Sequence, residues 1–221
     1  MMKTNQDYKN EALSALKGHW APAVVCSIVF MLIAVVSNVT LEFADPAKVG
    51  TGVFMTVYAS TMGIMVLVFF PLQVGYYNAH KELLLNGDDA MTGSMFRIGF
   101  AKWGRNLWGS LLVGIFTFLW MHLLIVPGLV KAFAYAMTPF ILVDNPELSA
   151  NEAINLSKKM MKGHKFDLFW LELSFIGWIL LGLLTLGIGY FWLMPYMYTS
   201  IAGFYQDVKA DYESKQTLIN N

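Results

Sequence analysis

Residues 20–40 read WAPAVVCSIVFMLIAVVSNVT, a run without a single charged side chain. A bilayer core about 30 Å thick is crossed by about 20 apolar residues in an α-helix. Hydrocarbon cannot satisfy the backbone of open strands or lipid-exposed loops, so a spanning segment of this kind has to be helical. The run exceeds the apolar core of a cleaved signal peptide and ends without a clear cleavage site. We therefore interpret it as a retained first span.

The composition of the chain points to the same class of protein. Its 221 residues are 57% hydrophobic and 14% charged, whereas about 25% of the residues of a soluble protein are charged. The formal net charge is zero, which argues against a nucleic-acid-binding protein. Cys26 lies inside the first apolar run, and no Cys or His spacing typical of metal ligands occurs. We predict neither a metal site nor a cofactor.

The charge-poor intervals predict an all-α, polytopic transmembrane bundle. Of the 15 Lys and Arg residues, only Lys48 and Lys131 fall outside if the N-terminus is cytoplasmic. Because cytoplasmic segments are enriched in Lys and Arg, we expect both termini on the cytoplasmic side. Residues 1–206 would form one membrane domain and 207–221 a polar cytoplasmic tail. The six predicted spans are about 20–40, 52–79, 107–126, 128–144, 167–186 and 189–206.

A basic phrase occurs twice, as NEALSALKGH at 10–19 and as NEAINLSKKMMKGHK at 151–165. Both copies predict a basic amphipathic helix in the headgroup plane, and Ser149 with Glu152 has the spacing of a capping box. Gly18 and Gly163 would let the chain turn into the next span. The apolar face would hold Tyr8, Ala12, Ala15, Leu16 and Trp20 in the first copy, and Ala150, Ala153, Ile154, Met160 and Met161 in the second.

A third such segment, MTGSMFRIGFAKWGRN at 91–106, has its glycine at Gly104. Each even-numbered span carries one proline, namely Pro71, Pro139 and Pro195, and a proline inside a helix causes a kink. The pattern favours three repeats of a surface helix followed by a transmembrane hairpin. The alternative is two similar juxtamembrane helices that were shaped by the same membrane interface.

Residues 134–205 resemble the bacterial integral membrane family named domain of unknown function 975. The resemblance is carried by DNPELSANEAI at 144–154, MMKGHK at 160–165 and LSFIGW at 173–178, and ALKGHW at 15–20 fits the opening of the same family. It implies a polytopic protein of the bacterial inner membrane and no particular reaction. The chain is also loosely similar to the membrane portions of some glycerophosphodiester phosphodiesterases, but it lacks their catalytic barrel and metal-binding acids.

Two kinds of candidate binding residue follow. Glu172 lies inside the fifth predicted span, where it could bind a cation or proton, lie near the headgroups, or bond to Lys165 or to another helix. Asp144, followed by Asn145 and Pro146, is typical of a turn. The basic side chains near the span ends are candidate contacts for anionic lipid headgroups: Lys17, Arg97, Lys102, Arg105, Lys158, Lys159, Lys162 and Lys165.

Three functions compete. A non-enzymatic, lipid-associated or scaffold protein is favoured by the basic segments. The alternative is a transporter or channel for a small solute, because transporters place their sites between proline-broken helices; six spans would then call for a homo-oligomer. A lipid enzyme would need Glu172, Asp144 and a histidine to converge. A polar cavity at Glu172 would favour the transporter or channel, and a fully packed centre the lipid-associated protein.

Overall fold

The computed structural model describes residues 2–43 and 50–220, and every regular element in these two ranges is a helix. This confirms the all-α prediction. The loop expected around Asp45, Pro46 and Lys48 lies outside the described residues. The described ranges contain nine helices: α1 (Asn5–Leu16), α2 (Trp20–Phe43), α3 (Thr51–Asn86), α4 (Met91–Ala101), α5 (Trp103–Leu123), α6 (Ile125–Asp144), α7 (Ala150–Met160), α8 (Lys165–Leu184) and α9 (Tyr190–Asn220).

Four of these helices, α3, α5, α6 and α8, are long and apolar enough to cross a membrane. A fifth span results if α1 and the Trp20–Ile33 part of α2, which are bent by 101° relative to each other, are counted together. Six spans and a threefold repeat are not confirmed in the described part of the chain. The predicted sixth span lies within α9, which continues as one helix to Asn220 without a break at 206.

The sequence predicts a kink at Pro71, and the structure shows an irregular turn of α3 just before this residue. The α3 backbone widens into a π-helical turn at Met65–Phe69. Proline has no N–H, so Pro71 cannot donate to the carbonyl four residues earlier, that of Leu67. The indole Nε1 of Trp103 on α5 donates to this carbonyl instead, at 2.8 Å. The irregular turn therefore becomes a contact between α3 and α5.

The helix boundaries confirm most of the local predictions. The Ser149 hydroxyl accepts from the Glu152 N–H, and the Glu152 carboxylate accepts from the Ser149 N–H, which completes the capping box. Gly18 and Gly163 have φ values of 89° and 97°, a conformation that glycine adopts without steric cost. The prediction for Gly104 is wrong, because Gly104 lies inside α5. The junction between α4 and α5 is at Lys102 instead, where φ is −124° and ψ is 58°.

The apolar faces of α1 and α7 are covered by protein. Tyr8, Ala12 and Leu16 are buried, and the ring of Tyr8 packs edge-on against Phe204 of α9. All five apolar-face residues predicted for the second copy of the phrase are buried as well. An amphipathic helix buries its apolar stripe against whatever surface is available. Here that surface is the helical bundle itself. The prediction that these helices lie with their apolar faces in the membrane interface is therefore not confirmed, because protein covers the buried residues of both faces.

The path of α7 changes the expected order of the spans. The Ser157 hydroxyl donates to the Ala134 carbonyl at 2.9 Å, so α7 leads the chain from the end of α6 back to its middle. As a result, Lys165, Phe166 and Phe169 at the start of α8 line one groove with Val126 and other residues from the first half of α6. The six-span prediction separates residues 126 and 167 by the membrane thickness. The described structure brings these regions together and does not have that alternating order.

Candidate binding cavity around Glu172

A cavity of about 350 Å³ lies among α3, α5, α6 and α8. Much of its wall is apolar, as is usual for a small-molecule site. Its polar lining comes from all four helices. The complete lining, polar and apolar, consists of Gln73, Tyr77, Ser110, Val113, Thr117, Leu129, Ala132, Phe133, Tyr135, Ala136, Thr138, Pro139, Leu142 and Glu172.

Glu172 supplies the acidic group of this cavity. Within the described residues, no hydrogen bond or ion pair holds its carboxylate. Tyr77 of α3 lines the same cavity. The structure has no hydrogen bond or ion pair between Glu172 and Lys165 within the described residues, and Lys165 lines the groove between α6 and α8. The structure thus places Glu172 at a cavity, as the site hypothesis requires.

The remaining polar atoms of the cavity are mostly oxygens. The hydroxyl of Thr138 is buried and has no hydrogen-bond partner. Ser110 donates to the Phe70 carbonyl at 3.3 Å, and its oxygen keeps acceptor capacity. Tyr135 and Pro139 both line the cavity. Because proline has no N–H, Pro139 cannot donate to the carbonyl of Tyr135, four residues earlier. Because no Lys, Arg or His among the described residues lines the cavity, its donor set suits a hard cation or a protonated amine.

Of the basic residues predicted to contact lipid, several are bound to the protein. Arg105 donates through Nη1 to the carbonyls of Asn145 and Leu148, both at 3.0 Å, and through Nη2 to the carbonyl of Leu142. Lys102 donates to the Pro146 carbonyl at 3.0 Å. These two cations satisfy the carbonyls at the C-terminal end of α6 and in the loop behind it, a common role for basic side chains.

The other six predicted lipid contacts fall into two groups. Arg97 donates to the Ser94 hydroxyl at 3.3 Å, and Lys158 donates to Asn155 and lies over the ring of Tyr135. No hydrogen bond or ion pair within the described residues involves the other four amines. These belong to Lys17, Lys159, Lys162 and Lys165.

Asp144 is the centre of a charge cluster that the sequence analysis missed. Its Oδ1 pairs with Nζ of Lys81 on α3, and its Oδ2 accepts from Lys209 at 2.8 Å and from the Tyr205 hydroxyl at 2.9 Å. The Lys81 side chain is only 4% exposed. The sequence predicts a turn at Asp144, which Asn145 and Pro146 follow. The sequence offers one signal for the cluster: Lys81, Asp144 and Lys209 each follow an apolar stretch. This position is compatible with three apolar helices whose C-terminal parts lie close together.

The histidines do not form a shared site. His164 lies between Asp167 and Asp211, at 3.1 and 3.0 Å, whereas His80 is buried on α3 and contacts the Tyr76 carbonyl. Hydrogen bonds from Lys215, which has the larger effect, and from His164 hold the pKa of Asp211 below its usual value. Among the described residues, no group of three or more His, Cys, Asp or Glu side chains could hold a metal ion. Asp144 lies in its own ion pairs rather than at the cavity of Glu172.

Four apolar helices of spanning length among the described residues are compatible with a membrane protein. Residues 91–212 match the family described as protein of unknown function (DUF975), which is more than half of the 221-residue chain. The chain belongs to this family, as the resemblance predicted. No curated protein and no solved structure matches the chain. The looser similarity to glycerophosphodiester phosphodiesterases is not shown.

Proposed function

We propose that this protein is an integral membrane protein that binds a small cation or a protonated amine in the cavity around Glu172, as part of a transporter or channel for a small solute. The observation that carries the proposal is a carboxylate without a protein partner at a cavity among four apolar helices. A carboxylate in such a place is costly unless a counter-charge reaches it. A cation that enters the cavity would supply that charge.

The oxygen-rich lining supports the same class of ligand. Glu172 offers a charged oxygen, Thr138 a buried hydroxyl, and Gln73 an amide that can turn its oxygen inward. Pro139, which also lines the cavity, interrupts the backbone hydrogen bonding of α6, and transporters place their ion sites at interrupted helices. The proposal assigns no enzymatic reaction to the cavity. It places the protein in the inner membrane of a bacterium, with both termini in the cytoplasm.

A thermal-unfolding panel in detergent tests the binding step. A ligand that binds only the folded protein raises its stability with increasing concentration, so lithium, sodium, potassium, magnesium, ammonium and methylammonium chlorides are compared at constant ionic strength. We expect at least one cation to raise the melting temperature of the wild type and to lose this effect in Glu172→Gln. Glu213→Gln, an exposed acid on α9, is the matched control and should behave as the wild type does.

Flux into proteoliposomes with the stabilising cation then tests transport. Uptake above that of empty vesicles, reduced in Glu172→Gln and kept in Glu213→Gln, is the expected result. Equal responses of the wild type and Glu172→Gln to every cation would overturn the binding proposal. Binding without flux would restrict the protein to a cation-binding role.

A second function, non-enzymatic association with anionic lipid, is supported by a separate observation. Lys17 and Lys162 each directly precede a glycine at which the chain turns, and both are exposed without an ion pair in the described structure. Each Lys near an anionic surface adds about 1 kcal/mol of attraction. Lys17→Glu with Lys162→Glu should reduce the retention of anionic lipid in native mass spectrometry. Unchanged retention would remove the support for this function.

A further inference from the structure

A groove between α6 and α8 has no role in the cation proposal. It encloses about 280 Å³, and its walls are aliphatic and aromatic side chains apart from one lysine. Phe133 and Phe169 meet edge-on across it, with ring centroids 5.9 Å apart. The lysine is Lys165, the first residue of α8.

The groove opens onto an apolar surface. Val126 and Phe166, on its two sides, are 70% and 73% exposed. In water, exposed apolar surface of this kind is unfavourable, but beside the hydrocarbon of a bilayer it is continuous with lipid. A hydrocarbon chain can therefore enter the groove from the side without crossing a polar barrier.

Among the described residues that line the groove, Lys165 is the one with a charged side chain. Its side chain is partly buried, and no acid in the described residues pairs with it. Asp167, two residues on, hydrogen-bonds to His164, and Glu172 lies at the other cavity. An ammonium group held against apolar walls gains most from an anion that also carries apolar surface.

We infer that this groove is a binding site for one anionic phospholipid, whose acyl chain lies between α6 and α8 and whose phosphate pairs with Lys165. An acyl chain matches the apolar walls, and the phosphate matches the unpaired amine. A zwitterionic lipid offers the same chain, but its own cation competes with Lys165 for the phosphate. Leu129 and Phe133 line both the groove and the Glu172 cavity, whereas Lys165 lines the groove alone and Glu172 the cavity alone.

Native mass spectrometry of the full chain tests the site. The protein is released from micelles that contain equal amounts of phosphatidylglycerol and phosphatidylcholine with identical acyl chains. We expect the wild type to retain phosphatidylglycerol in preference. Lys165→Gln should reduce this preference about fivefold, since one cation contributes about 1 kcal/mol. Lys215→Gln, an exposed lysine of α9 that pairs with Asp211 outside the groove, should leave it unchanged.

Two further arms separate the chain from the headgroup. Leu129→Trp fills the groove and should lower the retention of both lipids. Inorganic phosphate at millimolar concentration should not displace phosphatidylglycerol, because it lacks the chain. Equal loss of the preference in Lys165→Gln and Lys215→Gln would overturn the site, and full displacement by phosphate would reduce it to a simple anion contact. The comparison of Lys165→Gln with its control lysine variant tests the pairing with the phosphate even if Leu129→Trp does not fold.

Discussion

Asp144 and Glu172 are both acids of apolar helices, but the protein treats them in opposite ways. Asp144 receives two lysines and a tyrosine hydroxyl from α3 and α9. Glu172 has no hydrogen bond or ion pair within the described residues and faces a cavity. A satisfied buried charge holds elements together, whereas an unsatisfied one is available to a ligand. The comparison separates a structural acid from a candidate binding acid.

The largest expected effect is the loss of the Asp144 carboxylate. Asp144→Asn leaves Lys81, which is almost fully buried, and Lys209 without a counter-charge. Removing one partner of a buried ion pair costs about 3 kcal/mol or more. Unfolding in mixed detergent and dodecyl sulfate micelles measures the loss, with the exposed Asp89→Asn as the control. A loss no greater than that of the control would show that the cluster contributes no stability.

The next effect isolates one hydrogen bond of the cluster. Tyr205→Phe removes the hydroxyl that donates to Asp144 Oδ2 but keeps the ring that stacks on Phe140 at 4.7 Å. We expect a destabilisation of about 1 kcal/mol, the usual net value of such a bond, in the same unfolding assay. A loss as large as that of Asp144→Asn would mean that the two lysines are not the main partners of Asp144.

Glu172→Gln should have a smaller effect on stability. The substitution removes a charge that has no counter-charge in the described structure, so the free energy of unfolding without ligand should change by less than about 1 kcal/mol or increase. The assay is run in a buffer whose cations do not stabilise the wild type. A loss comparable to that of Asp144→Asn would assign Glu172 a structural role instead.

The smallest effect concerns Asp211, an acid at the polar end of α9. Lys215 and His164 lower its pKa in the folded protein. A lowered pKa stabilises the fold above the pKa of the unfolded state, and the contribution is lost as the pH falls below about 4. The melting temperatures of the wild type and Asp211→Asn should therefore differ slightly at pH 7 and converge as the pH falls through the lowered pKa of Asp211. A difference that grows on acidification would contradict this sign.

The sequence predicted the features that depend on neighbouring residues. The helical class follows from long apolar runs, the capping box from Ser149 and Glu152, and the turns from Gly18 and Gly163. Glu172 was found because a charge inside an apolar run stands out in one dimension. Its cavity, however, depends on side chains of α3, α5 and α6 that are far away in the chain.

Features that depend on distant contacts were missed. Asp144 meets Lys81 and Lys209 across 63 and 65 residues, and no local pattern specifies such a pairing. The same holds for Arg105, whose fork reaches carbonyls about 40 residues away. Hydropathy describes how apolar a segment is but not where it packs. It therefore could not predict that α7 returns along α6, and the predicted order of the spans differed from the structure.

The break at Pro71 has a consequence for movement. The Leu67 carbonyl never receives an N–H from Pro71, so it needs an outside donor in every conformation that keeps it away from water. Trp103 supplies that donor from α5. If α5 slides relative to α3, it must either carry the Met65–Phe69 turn with it or leave the Leu67 carbonyl without the Trp103 donor. The proline thereby couples the displacement of one helix to that of the other.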